Sequence, residues 1–222
     1  MAKLFYQGHG SYRITADDGR VIYVDPYAGA DTIPLHKLLH PCQDPQKDKS
    51  GGYDLPADFI LVTHQHGDHN QIQLVTQKPG CRVITNAEAL AGGKHNSFDL
   101  GGGLTVEAVE AKNLNHSPEK CVGFIITVDS VKIYASGDTS TTEQMKSFAA
   151  RELDYALFPL DGVFNMGLKE GAECARIVGA KHNIPIHLKP GALYDRKKAD
   201  KWDAPNKLIV EPGDEIELCK TP

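Results

Sequence analysis

Apolar positions in this chain gather in short blocks, most of them of strand length. Near the amino end KLFYQ, YRITA and VIYVDP are rich in aliphatic and aromatic residues, and ADDG between the last two suits a hairpin turn. FILVT, residues 59–63, is a continuous apolar run, the pattern of a strand covered on both faces. CRVIT, LTVEAVEA, CVGFIITVD and VKIYASG predict further strands, with Asp129 and Ser130 turning between the last two, and DYALFPL, IPIHL, KLIV and EIEL complete the set. Helical spacing is expected in NQIQLVTQ, NAEALAG, TTEQMKSFAARE and MGLKEGAECARIVGAKH, the third opening on a threonine suited to capping. Strands thus fall into two groups, each followed by helices. That order predicts an α/β chain in which sheet packs on sheet with helices outside, rather than one doubly wound sheet.

The pattern breaks over residues 27–55, a polar stretch holding Pro34, Pro41 and Pro45. It is long for a loop, so a short helix or a cover over a site is expected there. With 222 residues and no dividing linker, the chain is expected to form one domain over 1–222, with 27–55 as a long loop or lid. A formal charge of -5 gives no general attraction for nucleic acid or anionic membrane, so no nucleic-acid partner is expected. MAKLFYQGHGSYRI lacks the features of a secretory signal, and no apolar run is long enough to span a membrane. The five cysteines are odd in number, widely spaced and form no CxxC, which favours free thiols in a reducing cytoplasm. The expected location is cytoplasmic. A homo-oligomer is compatible with this pattern.

Directly after the FILV run comes THQHGDHN, which sets His64, His66, Asp68 and His69 within six positions. Imidazole nitrogen and carboxylate oxygen at a strand end suit zinc, manganese or iron(II). His116 in NLNHSPEK, Asp138 in YASGDTST and His187 in IPIHLKP also adjoin apolar strands, the placement expected of a site along a sheet edge. Asp138 sits at the start of an expected helix, where aspartate often caps, but Thr139, Ser140 or Thr141 is available for that role. So many nitrogen and oxygen donors exceed the needs of one tetrahedral zinc. They match two divalent ions sharing a bridging carboxylate and a bridging hydroxide, which points to hydrolysis of a small-molecule substrate, an anionic one included. No G-x-S-x-G elbow, P-loop or dinucleotide fingerprint competes with it.

THQHGDH resembles the H-x-H-x-D-H signature of the metallo-β-lactamase superfamily, and with His116, Asp138 and His187 in order downstream the resemblance extends over nearly the whole chain. It implies a four-layer αββα sandwich with a binuclear metal site, probed first as zinc, with Mn or Fe as alternatives. It further implies that His64, His66 and His116 hold one metal, that Asp68, His69 and His187 hold the other, and that Asp138 bridges them. GHGSYRI, VDPY, YASGDT and FPLDGVFNMGLKEGAECAR resemble a compact branch of metal-dependent hydrolases related to L-ascorbate-6-phosphate lactonase. The expected activity is hydrolysis of a small ester, lactone or phosphodiester. Iron-dependent oxidoreductase chemistry on the same fold and non-catalytic metal binding are the alternatives.

Asp68 and Asp138 are the expected catalytic carboxylates. His9, in QGHGSY, is expected either to donate a proton or touch substrate, or to be a turn histidine bonded to backbone. Asp25 and Asp58 flank strands and are each expected to hold a ligand histidine or to cap a turn. Asp161 and Lys189 are further candidates for contact with ligand or substrate, and Asn165, Met166 and Gly167 precede a helix whose amino end suits an anionic group.

Overall fold

A computed structural model describes residues 1–29 and 52–220. The expected lid falls mostly on residues 30–51, outside the described residues. Among the described residues twelve strands form two sheets of six. They are β1 (Lys3–Gly8), β2 (Ser11–Thr15), β3 (Val21–Val24), β4 (Ala57–Val62), β5 (Gln77–Thr85) and β6 (Ser97–Asp99). The rest are β7 (Thr105–Glu110), β8 (Val122–Val128), β9 (Val131–Ala135), β10 (Tyr155–Pro159), β11 (His182–Ile186) and β12 (Glu215–Glu217).

The first sheet runs β12-β1-β2-β3-β4-β5 and the second β11-β10-β9-β8-β7-β6. In the first, pairings from β12 through β3 are antiparallel, and β3-β4 and β4-β5 are parallel. In the second, pairings from β6 through β9 are antiparallel, and β9-β10 and β10-β11 are parallel. Two halves with the same order of pairing directions realise the duplicated layout that the strand groups predicted. The α/β sandwich is therefore the fold.

Leu4, Ile14, Ile22 and Leu61 from one sheet pack with Val106, Phe124, Ile126 and Leu157 from the other in the central core. Along β1 and β7, buried positions alternate with more exposed ones, as period-two patterning requires. β10 is buried at all five positions because its outer face is covered too. After β5 comes the short helix α1 (Asn86–Ala89), and the cover of β10 is α2 (Leu168–Val178) with a 3₁₀ helix over Glu143–Arg151 and α3 (Arg196–Lys201), which bury Tyr134, Phe148, Phe158, Cys174 and Trp202 together. α2 opens at Gly167 and stops at left-handed Gly179, φ 68°.

Several expectations require correction. NQIQLVTQ supplies only a 3₁₀ turn, Ile72–Leu74, and Gln77 already belongs to β5, where pairing with β4 outweighs local helical spacing. KLIV makes a single bridge, Asn183 to Lys207, and no strand. TTEQMKSFAARE winds as 3₁₀ helix without a side-chain cap; Thr141 instead turns its N–H and hydroxyl onto Glu170, both at 2.9 Å. β6 and α3 escaped the pattern. α3 is wholly polar apart from Ala199, and is started by Asp195, whose carboxylate accepts the Lys198 N–H at 3.0 Å.

Candidate metal centre

Strands in both sheets deliver the polar side chains to one place. Asp25 follows β3, His64 follows β4, Asp138 follows β9, Asp161 follows β10 and His187 follows β11. These are the carboxyl ends of the parallel strands, where α/β sheets place ligands. The turn between β1 and β2 adds His9, and the β7–β8 connection adds His116. His9, Asp25 and His187 all hold left-handed backbone, with φ 56°, 46° and 44°. Such strain collects where side-chain aim matters more than local comfort.

Three donor groups result, each with ligand atoms within 4.8 Å of one another: His64, His66 and His116; His64, His69 and Asp138; and His9, Asp68, His69 and His187. The structure thus brings together all seven sequence-predicted ligands, and His9 besides. Together the overlapping groups make a binuclear divalent-metal site.

The backs of the imidazoles explain their aim. His69 Nδ1 donates to Asp25 Oδ2 at 2.8 Å, and His116 Nδ1 donates to Asn113 Oδ1 at 2.9 Å. His9 Nδ1 donates to the Ala192 carbonyl at 3.1 Å. His64 Nδ1 lies 3.1 Å from Thr63 Oγ1, whose own proton goes to Asp25 Oδ2 at 2.6 Å, so His64 is the donor. His187 Nδ1 lies 3.1 Å from Asp161 Oδ2, within ion-pair distance though off the hydrogen-bond axis. With Nδ1 the donor in His9, His64, His69 and His116, their Nε2 atoms turn into the site, where His116 Nε2 lies 3.0 Å from His66 Nδ1. The Nε2 atoms of His64, His69 and His187 are buried without hydrogen-bond partners, as is Asp138 Oδ1. His69 Nε2 and Asp138 Oδ1 are 3.3 Å apart, and without metal a proton on the imidazole joins them as a buried ion pair. The unpartnered Nε2 atoms of His64 and His187 beside that carboxylate make the donor set of a divalent cation, which takes the proton's place, so the residues fit divalent metal.

Charge follows this geometry. Burial, with His69 beside it, pushes the His64 imidazolium down to about 2, so His64 is neutral. Burial likewise lowers His9 and His116. Burial also opposes charge on His69, but the flanking carboxylates of Asp138 and Asp25 outweigh it and hold the proton well above the ordinary histidine range. Burial would raise Asp138; His69 and His187 reverse that and keep it ionised.

Gly137 sets the approach of the two sheets at this point. Its φ is +61°, and a Cβ there would lie 2.9 Å from both Thr63 Cβ and the Val122 carbonyl. Gly137→Ala is expected to destabilise the fold by about 2–4 kcal/mol, through backbone strain plus overpacking. A fall in the urea midpoint checks this; an unchanged midpoint would mean that the β4 end yields.

Other expectations divide. Asp25 does hold a histidine, and accepts the Thr63 N–H at 2.7 Å as well. Asp58 does not: it takes the Val21 N–H and pairs with Lys78, at the opposite end of β3 and β4 from the site. Ser11 is buried against Gln7 and Tyr53. Lys189 is exposed and does not line the cavity. His9 is fully buried, and its Nε2 faces Asp68 Oδ2 at 3.2 Å, so it reaches substrate only through Asp68. Thr63, Asn113 and Asn165 went unrecognised as supports. Only Asn113, three residues before His116, carried a local signal.

A cavity of about 470 Å³ opens on the donors, lined by His66, Asp68, His116, Asp138 and His187, with Phe164, Pro190 and Gly191 at its mouth. A two-sheet sandwich with histidines and aspartates meeting at the ends of its parallel strands defines a class of metalloprotein. The chain belongs to the metallo-β-lactamase superfamily: the family model of the β-lactamase superfamily domain matches residues 3–187. The chain is 28% identical to the UPF0173 metal-dependent hydrolase of Pyrococcus furiosus, over 98% of this chain and all of that one. Igni18, a metallo hydrolase of Ignicoccus hospitalis, shares the fold with a TM-score of 0.70 at 20% identity, covering 97% of each chain. CmlA, a diiron β-hydroxylase of Streptomyces venezuelae, shares it with a TM-score of 0.66 at 14% identity, over 98% of this chain and 54% of that one. No helix among the described residues is long and apolar enough to cross a membrane.

Proposed function

We propose that this protein hydrolyses a small ester, lactone or phosphodiester, with His64, His66 and His116 holding one divalent ion, Asp68, His69 and His187 the other, and Asp138 between them. The observation that carries this is the convergence of imidazole nitrogens on buried Asp138, with His69 and His116 backed by acceptors at Nδ1. When bound, the ions supply an acidified water and a Lewis acid for the developing oxyanion. The chain's own part is to aim and to move protons. Asp25, Thr63, Asn113 and Asp161 lock the tautomers, so the donors are set before any ligand arrives. Asp68 is half-buried at the cavity wall, its Oδ2 3.2 Å from His9 Nε2, and accepts the attacking water's proton for delivery to the leaving oxygen. The cavity suits a lactone ring or a compact ester.

Elemental analysis of the native protein tests this. Two zinc or manganese ions per chain are expected, with ester or lactone turnover lost on chelation and regained on reloading. Two irons would move the chemistry to oxidation, for which a nitrogen and oxygen donor set is equally suited. Failure to take up metal on titration would overturn the binuclear site.

A further inference from the structure

Four large apolar side chains stand exposed among the described residues: Met1, Leu114, Val163 and Phe164. Three of them sit on two loops beside the cavity, with Leu114 100%, Val163 65% and Phe164 47% accessible. Single exposed hydrophobics need no explanation, but a cluster at the mouth of a site does.

These loops are pinned. Asp161 Oδ1 accepts the N–H groups of Val163, Phe164 and Asn165, at 2.6, 2.7 and 3.1 Å, so the loop turns its apolar side chains outward on a fixed backbone. Across the mouth, Asn113 Oδ1 accepts the N–H groups of Asn115 and His116 at 2.8 and 2.9 Å. Backbone N–H can only donate, which identifies that atom as oxygen. Asn113 Nδ2 must then donate to Asn165 Oδ1, at 2.7 Å, and Asn165 Nδ2 to Asp161 Oδ2, also at 2.7 Å. One chain of hydrogen bonds therefore runs from His116 through Asn113 and Asn165 to Asp161, whose Oδ2 faces His187. The same polar atoms that orient one histidine of each proposed metal site hold the two apolar loops together. Leu114 lies between Asn113 in that chain and Asn115, which lines the cavity with Phe164.

We propose that Leu114, Val163 and Phe164 form the seat for a hydrocarbon chain on the substrate, an acyl or alkyl group next to the scissile bond, kept in register with the metal ligands by the Asn113–Asn165 bridge. This rests on the hydrolytic reading above and narrows its substrate class. Phe164 lines the cavity and Leu114 adjoins Asn115 of its wall, so such a seat offers one face to the chain and leaves the other in water. A fully buried methylene strengthens binding about fourfold; one laid on an open surface gains about twofold. Six added methylenes then amount to about 60-fold.

The test compares acetohydroxamate with octanohydroxamate by calorimetry on the metal-loaded protein, alongside hydrolysis of p-nitrophenyl acetate and octanoate. The shared hydroxamate head reaches the metals, so the difference reports the chain alone. Octanohydroxamate is expected to bind about 60-fold more tightly, and the ratio to fall below about fivefold in the double variant Leu114→Ser, Phe164→Ser. Asn165→Ala is expected to reduce the ratio as well, by freeing the loops, while both apolar side chains remain. Chain-length-dependent binding without ester turnover would support the seat and sink the hydrolytic assignment. Turnover with no dependence on chain length would do the reverse. Equal affinities for the two hydroxamates, binding of neither, or a ratio untouched in the double variant overturns the seat. So does a loss of self-association in that variant with the ratio unchanged, which would make the patch an interface between copies of this chain.

Discussion

Asp138→Asn is expected to lower hydrolytic turnover by at least about a thousandfold, some 4 kcal/mol of transition-state stabilisation. Asp138 is buried, with Oδ1 3.3 Å from His69 Nε2 and 3.6 Å from His187 Nε2, and it shares a donor group with His64. Among the described residues no other acid reaches both halves of the site, since Asp68 lies on the His9–His187 side. The amide keeps the shape but removes one of the two negative charges set against two divalent ions. It also turns either an N–H or a weaker oxygen toward the histidines. Metal content is expected to fall from two ions per chain to one or fewer, measured together with kcat/KM. A variant retaining both ions and activity within tenfold of the parent would refute the bridging role.

Asp25→Ala acts one layer further out and reaches stability as well. It strips the acceptor from the Thr63 N–H, the Thr63 hydroxyl and His69 Nδ1 at once, in a place with no water access. Each orphaned buried donor costs about 1–3 kcal/mol, and leaving a buried pair half-made costs about 3–5 kcal/mol. A loss of about 4 kcal/mol in the metal-free protein is therefore expected, with metal affinity lowered 10- to 100-fold as His69 loses its tautomer. Asp25→Asn separates the two effects. Asparagine tolerates the left-handed φ of 46° and can still accept the Thr63 N–H, but its amide hydrogens face His69 Nδ1. That variant is expected to retain most of the stability and lose the affinity. Urea unfolding of the metal-free protein and a metal titration measure the two; equal losses in both variants would show that Asp25 acts only as a packing residue.

How far the chain could be read from its residues follows from the range of each interaction. The ligand cluster was legible because four donors in six positions after a buried strand have no structural use at a strand end. The sheets were legible wherever burial alternates or is continuous, as in β4 and β10. Asp25 was visible as a possible support for a histidine, although nothing local paired it with His69, 44 positions away. The Asn113–Asn165 bridge spans 52 positions and has no period, so neither amide announced its partner. α3 was missed because it presents almost no apolar face. The helix expected at NQIQLVTQ failed because spacing within eight residues says nothing about the neighbouring strand that claims Gln77.

The zipping of the first turn onto the last part of the second sheet bears on how the protein is made. His9 N–H donates to the Leu193 carbonyl at 2.6 Å, His187 N–H donates to the His9 carbonyl at 2.8 Å, and β1 pairs with β12. During vectorial synthesis the His64–His69 cluster leaves the ribosome more than a hundred residues before His187, while its neighbours in space are still being translated. Until then those imidazoles lack His187 across from them, and for the earlier part of that interval Asp138 as well. Metal capture at full strength is therefore a late event in biogenesis, and a chain stalled before residue 187 presents only half a claw.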